Sequence, residues 1–180
     1  DRALANDFSA EPKRRELQQE AIAHIHVQRL IDEGRDPDVW PASAAYAAWL
    51  HEDFCSRLPP EMLWVTNPQT DLARFMVRFD RAYTSPPLNS FRQIQAVGAV
   101  HHRFLWIHPF LDGNGRVARL MSHALFKRLG IGTSLWSVAR GLARDEELYK
   151  KLLAQADGPR EGDRDGRGNL TQRGLIAFCR

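Results

Sequence analysis

Apolar positions recur at three- and four-residue intervals along most of the chain, the spacing of helices that bury one face. The pattern predicts a helix over 10–33, with Ser9 as its cap. A second helix is predicted over 42–57 (ASAAYAAWLHEDFCSR), entered through Pro41. Two short apolar runs, 62–65 and 75–79, flank the turn-rich TNPQTD and read as a β-hairpin. Ser90 and Gln93 have capping-box spacing. Ile94, Val97, His101, Phe104 and Leu105 then keep helical intervals, giving a helix over 90–107. The next helix starts at about Asn114, with Val117, Leu120, Met121, Ala124 and Leu125 on one face, and Gly130 closes it. Residues 134–141 and 144–156 are also helical in pattern. The segment DGPREGDRDGRGN reads as a charged loop, and a last helix begins near Asn169 or Thr171. The expected fold class is all-α, a helical bundle with one short hairpin.

Composition changes this picture little. The chain has 180 residues, 43% apolar and 26% charged, which fits one soluble domain over 1–180 with a real core. Net charge is +3, but basic and acidic residues are mixed along the chain, which argues against a nucleic-acid partner. Cys55 and Cys179 show no metal or redox spacing, so a reducing, cytoplasmic compartment is expected. No segment is apolar enough to span a membrane, and the N-terminal stretch is not a signal peptide. The sequence starts at Asp1 rather than Met and stops inside an apparent helix, so a longer protein is expected.

One stretch asks for chemistry. HPFLDGNGRVAR, residues 108–119, joins two apolar helices and places its glycines at the start of the second. A helix N-terminus presents unpaired N–H groups and a partial positive charge. Gly113 and Gly115 let backbone approach a ligand closely. Together they suit an anion such as phosphate. Arg116 and Arg119, three apart, could reach back to the same anion. Asp112 beside an anion is costly unless a cation lies between, and Mg2+ held by one carboxylate and phosphate oxygens answers that need. His108 could take a proton from an incoming nucleophile. Phe110 is expected to point into the core and fix the loop. These residues suggest a magnesium nucleotide, a histidine base and transfer of a phosphorus-containing group, without saying which phosphorus is attacked.

The stretch also resembles the signature of the Fic family, His-x-Phe-x-(Asp/Glu)-Gly-Asn-Gly-Arg-x-x-Arg, with every signature position filled. TSPP before the preceding helix, LWSVARGLAR at 135–144 and DRDGRGNLTQRGL at 163–175 are similar to Fic sequences too. The resemblance covers about 15–180 and is most specific over 85–175, with 1–35 holding the N-terminal helix. It implies a helical Fic fold and protein adenylyltransferase activity, AMPylation, in which AMP passes from ATP to a Ser, Thr or Tyr hydroxyl of a target protein. On that resemblance His108 is the general base and Asp112 the magnesium ligand. Gly113, Asn114 and Gly115 form the anion hole, and Arg116 and Arg119 hold phosphate oxygens and the departing pyrophosphate. The hairpin corresponds to the family's flap, which docks the target chain by strand addition. Family members that phosphorylate can carry Lys where this chain has Gly115, so Gly115 favours AMP transfer. Phosphocholine, phosphate or other nucleotides as donors, and de-AMPylation, remain alternatives. A non-enzymatic nucleotide-binding regulator is a third reading, and the intact His108 argues against it.

Many Fic proteins inhibit themselves with (Ser/Thr)-x-x-x-Glu-(Gly/Asn), whose Glu pairs with the second motif arginine, here Arg119. Only Glu33-Gly34 and Glu161-Gly162 have that ending, and Arg29 and Asp157 stand four residues before them. In EAIAHIHVQ, where an N-terminal brake could fall, His26 or Gln28 would replace the Glu. Constitutive activity, a missing segment or a separate inhibitor protein is expected instead. A zinc site of His101, His102 and His108 lacks known pair spacing and is set aside. His24 and His26 read as surface or packing residues. Tyr149 falls where Fic proteins contact the adenine, with helix packing an equal alternative.

Overall fold

The computed structural model describes residues 8–62, 70–84, 90–132, 136–159 and 171–179. Among these residues the regular structure is helical: α1 (Pro12–Asp32), α2 (Ala44–Cys55), a 3-10 turn (Pro60–Met62), α3 (Thr70–Tyr83), α4 (Ser90–Ile107), α5 (Asn114–Arg128), α6 (Val138–Ala143), α7 (Glu146–Asp157) and α8 (Gln172–Phe178). No strand occurs among them. The all-α class stands.

The hairpin does not stand in its second arm. Residues 75–79 lie within α3, and 63–69 are outside the described residues. Phe75, Met76, Phe79 and Tyr83 turn inward at intervals of one, three and four, a helical stripe, while Arg74, Val77, Arg78 and Arg81 face out. Several starts also move. Pro12 is preferred in a first turn, so α1 begins there with Glu11 at its cap position. Ser9 accepts from the Glu11 N–H at 3.3 Å instead of capping. α2 starts at Ala44 because the Ser43 hydroxyl accepts from Tyr46 N at 3.1 Å. α6 starts only after Ser137, which caps it, so the helix expected over 134–141 runs later. Thr171 caps α8 by accepting from Gly174 N at 3.2 Å, which settles the last helix start.

α5 lies at the centre. It packs on α4 along its length and also meets α1, α2 and α6, while α7 and α8 pair and lean on α4. A helix covered on several sides must be apolar nearly all round. Val117, Ala118, Leu120, Met121, Ala124 and Leu125 are accordingly buried, against Phe104 of α4, Leu50 and Phe54 of α2, and Val27 and Ile31 of α1. Its buried polar groups find partners across helices, as burial demands. His123 Nε2 meets Asp32 of α1 at 2.7 Å, and Ser122 bonds to α4. In the same way His102 of α4 meets Asp157 of α7 at 2.9 Å. These ties join α5 to α1 and α4, and α4 to α7.

Candidate active site

α4 stops because Pro109 has no N–H to continue it. His108 closes the helix in the left-handed region, φ 55°, and its own N–H still bonds to Phe104 O at 3.0 Å. A non-glycine residue at positive φ is uncommon and is held there only by its surroundings. The imidazole Nδ1 lies 3.3 Å from Leu105 O. A carbonyl only accepts, so Nδ1 carries the proton, and Nε2 is the nitrogen able to take one.

The loop is shaped from inside. Asn114, 2% exposed, accepts from Phe110 N at 3.0 Å and donates to Phe110 O at 2.7 Å. Its side chain is therefore committed to the loop, and only its backbone remains for a ligand. Phe110 is buried, as expected, and stacks on His51 of α2 with centroids 3.9 Å apart. His51 also hydrogen-bonds the Asp112 backbone, and burial lowers its pKa. Gly113 takes φ 82°, which a side chain would resist, and its N–H donates to Asp112 Oδ1 at 2.6 Å. Asp112 is exposed at the mouth of the loop. Among the described residues no three His, Cys, Asp or Glu converge, so a cation here would depend on ligand oxygens as well as on Asp112.

The arginines go to different places. Arg119 folds back over the first turn of α5, and a Cβ on Gly115 would meet its Nη1 at 3.3 Å. The Tyr149 side chain lies beside the Arg119 guanidinium and favours its charged form. Arg116 forms an ion pair with Glu20 of α1 and sits 5.9 Å above the Phe54 ring. His24, one turn beyond Glu20, lies in the field of both arginines and His123. Burial first, then Arg119, lowers its pKa to about 4, so it is neutral. Of the α1 residues considered for a brake, His26 is exposed and Gln28 accepts from Ser137 at 3.0 Å. The α1 acid that meets a motif arginine is Glu20.

The structure thus gathers His108, Asp112, Gly113, Asn114, Gly115 and Arg119 about the head of α5, with Tyr149 reaching Arg119 from α7. Sequence reasoning missed Glu20, His51 and the His101–Tyr149 hydrogen bond. Glu20 and His51 carry a faint signal, because each is a polar group on a helix face otherwise turned to the core.

The Fic/DOC family profile matches residues 16–126, from within α1 to near the end of α5. The chain belongs to the Fic/DOC family. Among curated proteins it is similar to the protein adenylyltransferase Fic of Drosophila grimshawi, 40% identical over 60 residues, and to that of Drosophila erecta, 38% identical over 60. Each match covers 33% of this chain and 12% of the relative. The Fic/DOC match spans α4, the His108–Arg119 loop and α5 as far as Phe126.

Proposed function

We propose that this Fic domain is a protein adenylyltransferase that moves AMP from Mg-ATP to a Ser, Thr or Tyr hydroxyl of a target protein. The observation that carries the reading is His108, its Nδ1–H held by Leu105 O beside a helix head lined by glycine backbone and Arg119. The target hydroxyl oxygen attacks the α-phosphorus, and its proton passes to His108 Nε2. A new O–P bond forms, the bridging α–β P–O bond breaks, and pyrophosphate leaves. Backbone amides at the start of α5 face the phosphates, and Arg119 takes charge developing on the leaving group. Arg116 reaches phosphate only if Glu20 releases or shares it. Asp112 would hold Mg2+, which neutralises phosphate charge when bound. Gly115 supports this donor choice, since a longer side chain there would contest the space of Arg119.

The membership in the family and the names of its relatives support a transferase. Target, donor and any separate inhibitor belong to the whole protein. The test is incubation with Mg-ATP labelled at the α- or the γ-phosphate in a lysate of source cells, beside a His108→Ala control. Protein label from the α position alone, absent in the variant, is expected. Label from γ alone would overturn the reading in favour of phosphorylation.

A further inference from the structure

Ser122 of α5, His101 of α4 and Tyr149 of α7 form one hydrogen-bonded line that ends beside Arg119. Ser122 donates its only hydroxyl proton to Ala118 O at 2.8 Å, because a carbonyl can only accept. Toward His101 Nδ1, also at 2.8 Å, the Ser122 oxygen must then accept, so Nδ1 carries a proton. His101 is 3% exposed, and burial, with the nearby charge of Arg119, pushes its pKa down to about 3. The ring is neutral, and its Nε2 bears a lone pair. That lone pair accepts from the Tyr149 hydroxyl at 2.8 Å. Tyr149, with its proton so engaged, turns its oxygen lone pairs toward the Arg119 guanidinium, whose charged form it favours. The Ala118 carbonyl cannot donate and the Arg119 guanidinium cannot accept, so with a neutral ring between them the line runs one way.

We propose that His101 is a positioning residue for Arg119, acting through the Tyr149 hydroxyl to hold the guanidinium over the head of α5. The ligand clause rests on the adenylyltransferase reading: the guanidinium so held meets the distal phosphates of ATP. The assignment moves Tyr149 from adenine contact to anchor. It also gives His101 a task that His102, engaged with Asp157 on the neighbouring position, does not share. A long arginine loses much rotamer freedom on being fixed, so an arginine held before the nucleotide arrives binds it better. Gly115 opens the space, and Tyr149 holds the group in it.

Three variants test this: His101→Phe removes the acceptor, Tyr149→Phe removes the hydroxyl, and His101→Gln returns an amide oxygen near the place of Nε2. Each is titrated calorimetrically with Mg-ATP and with Mg-AMP, and thermal melts check folding. His101→Phe and Tyr149→Phe are expected to weaken Mg-ATP roughly tenfold and Mg-AMP far less. The double variant should be no weaker than either single one, and His101→Gln should recover most of the loss. Equal weakening of both nucleotides, additive losses, or unchanged Mg-ATP affinity would overturn the proposal. The Arg119 Nε–H signal in nitrogen-15 spectra, recorded without nucleotide, gives an independent reading. It should broaden or exchange faster in His101→Phe and Tyr149→Phe, and an unchanged signal overturns the positioning role. If the unaltered protein binds neither nucleotide while that signal still responds, the adenylyltransferase reading fails and the positioning role survives. Should His101→Phe not fold, Tyr149→Phe and His101→Gln decide alone.

Discussion

Arg119 occupies the room that a side chain on Gly115 would need: a Cβ there would lie 3.3 Å from the Arg119 Nη1. The two residues are one helical turn apart, so they compete for one patch of space at the head of α5. Gly115→Ala must push the guanidinium aside by a few tenths of an ångström. We expect AMP transfer to fall roughly tenfold, since small misplacements of charged groups are costly. Stability should not fall with it, because Ala favours a helix over Gly by up to about 1 kcal/mol. Paired activity and melting measurements check this opposite movement.

His108→Ala should reduce transfer by roughly 10²–10⁴-fold, the range for loss of a general base. The melting temperature should barely move, because His and Ala both pay for φ 55°. His108→Gly removes that strain and should gain about 1 kcal/mol while staying inactive. A Gly variant less stable than the Ala variant would show that the positive φ is not costly here.

Asp112→Asn keeps an oxygen for the Gly113 N–H, now accepted at 2.6 Å, and removes the charge. The loop should hold its form and melting should be unchanged. Activity at limiting magnesium should fall roughly 10–100-fold, as for a weakened metal shell. A magnesium titration with the same midpoint in both proteins would remove Asp112 from that role.

Stability should decline with acid. The folded pKa values of His101, about 3, and His24, about 4, lie below the ordinary 6.5. Between those values the unfolded chain binds more protons, so stability is complete above about pH 6.5 and is lost as pH falls toward 4 and 3. Around His101 the relevant groups are Arg119, His102, Tyr149 and Ser122. Around His24 they are Arg119, His123 and Arg116. Urea midpoints at pH 7.5, 6 and 5 should drop steadily, and His101→Gln should flatten the slope.

The loop and the two helices that frame it were legible in the sequence because their information is local. Caps, glycines and a 3.6-residue stripe lie within 90–128, and the catalytic candidates lie within 108–119. α3 was misread for a local reason too. Its inward residues are few, and 75–79 taken alone looks like a short strand beside a turn. What could not be read depends on helices meeting across long separations. Glu20 reaches Arg116, His101 reaches Tyr149 and His51 reaches Phe110 only once α1, α7 and α2 have closed around α4 and α5. A sequence window around any one of these residues contains no sign of its partner.

The pair of hydrogen bonds between the Asn114 amide and the Phe110 backbone has a calorimetric consequence. Phe110 is buried, and Asn114→Ala would strand its N–H and C=O, each at about 1–3 kcal/mol. That variant should therefore melt well below the parent, as differential scanning would register. In the parent, the amide already closes the loop into a ring in the protein alone. Ligand capture then orders no backbone between Phe110 and Asn114, and this loop should add nothing to the heat-capacity change beyond the surface it buries.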